Sequence, residues 1–151
     1  MLYLPHTDIW DLYDKGYSVI IPTNGVVTKA GKAVMGAGLA LQAKKRFSGI
    51  EDELGSSIIA WGNGVYYFPH YRMFSFPTKK HYKSKATIGL ITESCVGLVW
   101  EWMAELVDCN IFSKVALPKV GCGLGGLDWE TVKTVLDFYL PDAFVCCSLD
   151  E

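Results

Sequence analysis

The stretch KVGCGLGGLDW, Lys119 to Trp129, places four glycines in the six positions from Gly121 to Gly126. Before it stands KVALP (Lys114 to Pro118), a short apolar run that reads as a strand. After it Val132, Val135, Leu136 and Tyr139 form one apolar stripe, and Asp128 is placed to cap that helix. Glycine weakens both strands and helices, so its concentration between the two points to a turn whose backbone is used directly. Without side chains, N–H groups can close on a ligand. At a strand end leading into a helix, those groups and the helix dipole favour an anion, phosphate above all.

A second stretch, VMGAGLALQ, has the same character. Gly36 and Gly38 stand just before GLALQAKKRF, in which Leu39, Ala43 and Phe47 recur at intervals of four, as on one face of a helix. Two such loops suggest two adjacent phosphates gripped from both sides.

The remaining chain supplies the frame. YSVIIP (Tyr17 to Pro22) reads as a buried strand. SIIAWGNGVYYFP reads as two β-rich runs joined by a hairpin at Gly62-Asn63-Gly64, and MFSFPT extends this strand-rich centre. Ile88, Ile91, Cys95, Leu98, Trp102 and Leu106 mark a long helix. AFVCCSL (Ala143 to Leu149) is a last strand. Leu2 to Leu4 reads as a short first strand, and Asp8 to Tyr13 as a helix. Strands alternate with helices at both ends, which predicts an α/β domain of three layers around a mostly parallel sheet. In such sheets ligands bind beyond the carboxyl ends of the strands.

The chain has 151 residues, which suits one domain spanning 1–151. Half of it is hydrophobic and 20% is charged, which argues against disorder. No apolar run approaches the roughly 18 residues of a membrane span, and the first residues do not read as a secretory leader. A cytoplasmic protein without membrane contact is expected. The five cysteines, Cys95, Cys109, Cys122, Cys146 and Cys147, are odd in number and show no metal spacing, so reduced, buried thiols are expected and no metal site. The net charge of −2 gives no global field for a nucleic-acid backbone. Locally, PTKKHYKSK gathers Lys79, Lys80, Lys83 and Lys85 around His81, either as a solvated face or as a site for something anionic. Trp61, Tyr66, Tyr67, Phe68, Phe76 and Tyr82 read as core aromatics before they read as a stacking platform.

Two familiar phosphate motifs do not fit. GVVTKAGKA sets Gly25 and Gly31 one residue too far apart for a P-loop, and Ala33 offers no hydroxyl after Lys32. Gly121, Gly123 and Gly126 satisfy G-x-G-x-x-G, but the acidic residue about 20 positions on, at the end of a second strand, is missing.

The blocks PTNGVV…VMGAGLALQAKKRF, YYFP…FPTKKHY and LPKVGCGLGGLDWETV resemble a macro domain. The subgroup they resemble includes the DNA ADP-ribosyl glycohydrolase antitoxins and the terminal ADP-ribose protein glycohydrolase. The similarity runs from about Thr7 to the end of the chain. It implies a mixed, mostly parallel sheet in an α/β/α fold that binds ADP-ribose without a cofactor. It also implies a hydrolase acting on ADP-ribosylated DNA or protein, of bacterial or phage source. Asp8 would accept from the adenine amino group and Ile9 would add a backbone contact. Asn24 would reach the distal ribose. Gly36, Ala37 and Gly38 would form the first phosphate loop, and Gly121, Cys122, Gly123, Leu124 and Gly125 the second. The segment between Asn24 and Met35 is longer than in many relatives.

In that subgroup a lysine in a TK step acts on the anomeric carbon of the distal ribose, which assigns the role to Lys79. An amine attacks such a carbon only when unprotonated. The human relative has an Asp in the second loop where this chain has Gly125. With Asp128 read as a helix cap, His81, water or a substrate phosphate remain as proton acceptors. Cys122 as nucleophile has no evident histidine partner. Two rival readings are a phosphatase for ADP-ribose-1″-phosphate and a module that binds ADP-ribose without turnover.

Overall fold

A computed structural model describes residues 1–109 and 114–150 of the chain. In chain order the elements are β1 (Leu2–Leu4), α1 (Ile9–Asp14), β2 (Ser18–Thr23), α2 (Gly38–Arg46), α3 (Ile50–Trp61), β3 (Tyr67–Phe68), β4 (Met73–Pro77), α4 (Ile88–Cys109), β5 (Val115–Leu117), α5 (Trp129–Tyr139) and β6 (Phe144–Cys147). The strands form one sheet in the order β1-β6-β5-β2-β4-β3. All neighbours run parallel except β3, which lies antiparallel to β4 at the edge. The sheet is therefore mixed and mostly parallel, as the alternation of strands and helices implied. Among the described residues no helix is long and apolar enough to cross a membrane.

Strand periodicity divides the core into two layers. Val19 and Ile21 of β2, Ala116 of β5, and Val145 and Cys147 of β6 pack with α1, α2 and α3. Ile20, Val115, Leu117, Phe144 and Cys146 point the other way and pack with α4 and α5. Three of the cysteines, Cys95, Cys146 and Cys147, are buried free thiols, as expected of a reduced core. Burial pushes the Cys95 thiol up to about 12. Cys109 lies where no side chain is described.

The hairpin expected around Gly62-Asn63-Gly64 does not form. Residues Ser57 to Trp61 finish α3, and the extended segment after the glycines is only Tyr67–Phe68. Ile50, Leu54 and Ile58 recur every four residues and are buried, which is a helical stripe. Glu51, Asp52 and Glu53 occupy the first turn, where the dipole favours acids. Gly62, with φ +93°, ends the helix. The β-branched run and an internal glycine masked this pattern. Gly55 is there because α3 crosses the segment after β2 at backbone contact: a Cβ on it would overlap the Gly31 carbonyl oxygen and stand 3.0 Å from Ala33 N. Trp61, expected in the core, is 81% exposed beyond the last buried turn.

These helices give three stability predictions. Gly55→Ala should destabilise the protein by about 1–3 kcal/mol in urea unfolding, despite the gain of roughly 1 kcal/mol in helix propensity. Gly89→Ala, where a Cβ meets nothing in α4, should keep that gain. On α4, burial and then the neighbouring Glu105 raise the Glu101 carboxyl above its ordinary value of 4.5. A raised carboxylate binds more protons folded than unfolded, so its contribution to stability is lost as pH rises through that window. Glu101→Gln should therefore raise the urea midpoint at neutral pH, and the gain should vanish as pH falls below the ordinary carboxylate range.

Candidate functional site

The carboxyl ends of β2, β4 and β5 open onto a cleft of about 490 Å³. A second recess of about 450 Å³ adjoins it beside the end of β6. Leu39, Pro118, Lys119 and Gly123 line both, so the two form one groove across the strand ends. Each recess is of the size that takes a small organic ligand.

The first glycine loop enters α2. Ala37 is the N-cap in extended conformation with no side-chain cap, and Gly38 has φ +55°. The opening N–H groups of that helix thus face the cleft without a side-chain partner, at the positive end of the dipole. Gly36, Ala37 and Gly38 all line the main cleft.

The second loop is built differently. Leu127 N–H donates to Gly121 O at 2.9 Å, Gly126 N–H to Gly123 O at 3.1 Å, and Ala86 N–H to Gly125 O at 3.0 Å. Among the described residues, the N–H groups of Gly123, Leu124 and Gly125 have no such partner. Gly121, Gly123, Leu124 and Gly125 line the main cleft, whereas Cys122 lines the adjoining recess. The helix dipole expected to help here is already engaged. Asp128 caps α5, its Oδ2 accepting from Thr131 N and from Thr131 Oγ1, both at 3.1 Å. What the loop itself offers the cleft is therefore backbone N–H groups.

Two of the loop glycines differ in what they tolerate. A Cβ on Gly125 would stand 2.6 Å from Gly121 O and 2.8 Å from Ala86 Cβ, while one on Gly123 would meet nothing within 4 Å. With this backbone no side chain fits at position 125, so no carboxylate can stand there. Burial raises the Cys122 thiol despite the lowering effect of Lys119, which opposes the thiolate a nucleophile needs.

Lys79 follows β4, is half-buried, and lines the main cleft with Thr78 and Tyr82. Its backbone is held from three directions. Thr78 N–H donates to Thr23 O at 3.1 Å, and Gly25 N–H to Lys80 O at 3.1 Å. Asn63 Nδ2 donates to Lys79 O at 3.0 Å. Asn63 read as a hairpin residue; its tie to Lys79 spans two distant segments, and no local signal carries it. Tyr82, expected in the core, is exposed at the cleft, whereas Phe76 is buried as expected. His81 lines neither recess; its Nδ1 accepts from Lys83 N–H at 3.0 Å, and its ring lies against Tyr82.

Asn24 lines the cleft at the end of β2, and its amide is engaged locally: Nδ2 donates to Val34 O at 3.0 Å and Oδ1 accepts from Val26 N–H at 2.9 Å. These bonds close the long segment after β2, which folds back on itself through a bridge between Val27 and Ala33. Asp8 and Ile9 lie in the second recess. Asp8 caps α1, its Oδ1 accepting from Trp10 N–H at 2.9 Å, and Ile9 is buried. Reading the sequence missed Lys119, which lies at the junction of both recesses with its ammonium 5.2 Å from the Trp129 ring and 5.5 Å from the Tyr3 ring.

No family model matches the chain. A DNA ADP-ribosyl glycohydrolase of Mycobacterium tuberculosis is 32% identical over 111 residues, which are 66% of this chain and 30% of that protein. The chain spans about 30% of the length of the glycohydrolase relatives of this kind that it matches. Among solved structures, the macrodomain of Thermus aquaticus DarG superposes with a TM-score of 0.68 at 26% identity, covering 97% of this chain and 95% of that one. Thermosipho africanus DarTG in complex with ADP-ribose gives a TM-score of 0.67 at 25% identity, covering 88% of this chain and 38% of that one. Sequence likeness and the six-stranded topology agree: the chain has the fold of a macro domain and resembles the subgroup carried by the DNA ADP-ribosyl glycohydrolases.

Proposed function

We propose that the groove binds ADP-ribose and that the protein releases it from a macromolecule, with Lys79 acting at the distal ribose. The observation that carries this reading is the meeting of two glycine loops and Lys79 in one cleft. The printed names of the relatives support a glycohydrolase activity, and the complex of the Thermosipho protein supports ADP-ribose as the ligand. In this reading Asp8 and Ile9 receive the adenine, the two loops take the two phosphates, and the distal ribose lies between Asn24 and Lys79. The cluster of Lys80, Lys83 and Lys85, all exposed beside the cleft, favours an anionic acceptor such as DNA.

The step is a substitution at the anomeric carbon. The unprotonated Lys79 amine forms a bond to that carbon as its bond to the acceptor breaks, and the acceptor leaves with a proton. Water then adds at the same carbon and frees the amine. The sum is one water consumed, one ADP-ribose and one unmodified acceptor released. Since position 125 holds no carboxylate and Asp128 is engaged in its cap, water or a substrate phosphate moves the protons. The missing carboxylate is also the observation that favours a second reading, a module that binds ADP-ribose without turnover.

Wild type and Lys79→Ala, incubated with ADP-ribosylated DNA, ADP-ribosylated protein and ADP-ribose-1″-phosphate, separate these readings. The expected result is release of ADP-ribose from one macromolecule by wild type, with turnover lost in a variant that still binds ADP-ribose. Equal turnover in both removes Lys79 from the mechanism, and binding without turnover in wild type supports the module. Phosphate release from the third substrate redirects the assignment to a phosphatase. A second pair of variants tests the loop. Gly123→Glu should melt like wild type yet lose ADP-ribose in calorimetry, because it fills the phosphate space with bulk and negative charge. Gly125→Ala should lower the melting temperature, since its Cβ collides with the loop's own backbone, by a shift equivalent to about 1–3 kcal/mol.

A further inference from the structure

One side chain lining the second recess takes no part in the step at Lys79. Gln42, on α2, is exposed there. Its Oε1 accepts from the indole Nε1 of Trp10 at 2.7 Å. An indole N–H only donates, so the amide must turn its oxygen toward Trp10. The Nε2 amino group then points away from the indole, and among the described residues it has no partner. Trp10 itself is firmly held. It is buried, its ring meets those of Tyr13 and Phe47 edge-on, and the Arg46 guanidinium covers its face at 4.3 Å.

The same tryptophan holds a second polar group of the recess. Its backbone N–H donates to Asp8 Oδ1 at 2.9 Å, and Asp8 Oδ2 has no donor among the described residues. One immobile residue thus orients a carboxylate acceptor and an amide donor in a single recess. Ile9, Leu39 and Leu149 supply apolar surface around them. An apolar slot with one acceptor and one donor suits a heterocycle that carries an amino group beside ring nitrogens.

We propose that Gln42 is a specificity-determining residue for the base, an assignment that rests on the reading of this recess as the adenine end of the groove. Its Nε2 donates to one of the two ring nitrogens that flank the adenine amino group, N1 or N7, while Asp8 accepts from the amino group. Trp10 is the positioning residue, since its indole keeps the donor of Gln42, and not its oxygen, available to the base. A buried N–H that fixes an amide in one orientation lowers the ordering that binding must otherwise supply.

The test measures calorimetric affinities of wild type, Gln42→Met and Gln42→Glu for ADP-ribose and for its 1-deaza and 7-deaza analogues, in which a ring nitrogen is replaced by CH. Wild type should bind one of the two analogues about threefold to tenfold more weakly than ADP-ribose, the loss of one neutral hydrogen bond. Gln42→Met should no longer distinguish that analogue from ADP-ribose. Gln42→Glu keeps an oxygen for Trp10 and removes the donor, so it should melt like wild type and lose the same discrimination. The ratio of affinities is the readout, because the added charge alters both ligands alike. Discrimination that persists undiminished in both variants overturns the role of Gln42, as does a wild type that binds all three ligands equally. A wild type that binds none of them overturns the reading of the recess itself.

Discussion

Val19, Ile20 and Ile21 leave no surface to solvent, so β2 can exist only with helices packed on both of its faces. That requirement orders the molecule. Consecutive residues of the strand point into opposite core layers, and a parallel neighbour on each side completes its hydrogen bonding. The open end of β2 is then the middle of the sheet, and the connections that leave β2, β4 and β5 converge there. The groove is a consequence of this arrangement. Three loops are brought together because three neighbouring parallel strands send their connections off at the same end of the sheet.

The two glycine loops in that groove solve one problem in different ways. The loop before α2 uses an uncapped helix start, where several N–H groups and the dipole act in the same direction. The loop after β5 folds its backbone against Ala86 and onto itself, and presents N–H groups while the helix behind it is satisfied by Asp128. The first owes its positive character to a helix and the second to local turns. Mutation therefore acts on them unequally. Changes along α2 alter the field at the first loop, whereas the second is sensitive to the volume of the side chains that support it, Ala86 among them.

Much of this was legible in the residues. The glycine clusters, the capping Asp128 and the long apolar period of α4 are local signals, and the elements they mark lie within a few residues of their expected bounds. The resemblance to macro domains named the loops and Lys79 together. What escaped notice depended on contacts between segments far apart in the chain. The Gly55 that hid α3 is fixed by Gly31, and the part played by Asn63 is fixed by Lys79. Tyr82 and Trp61 looked like core residues because aromatic side chains usually are, yet both lie where the chain leaves a regular element and has no neighbour to cover them. Local periodicity reports which face of an element is buried and is silent on which loop will lie beside it.

The contact between Gly31 and Gly55 has a consequence for how this chain can diverge. The segment after β2 forms one wall of the cleft beside Asn24, and its far side rests on the backbone of α3 with no side chain between them. Residues added to that wall have nowhere to shift except into the cleft or through the helix. Its length and the tilt of α3 are therefore inherited together, and a descendant that reshapes the Asn24 end of the groove must rebuild both at once.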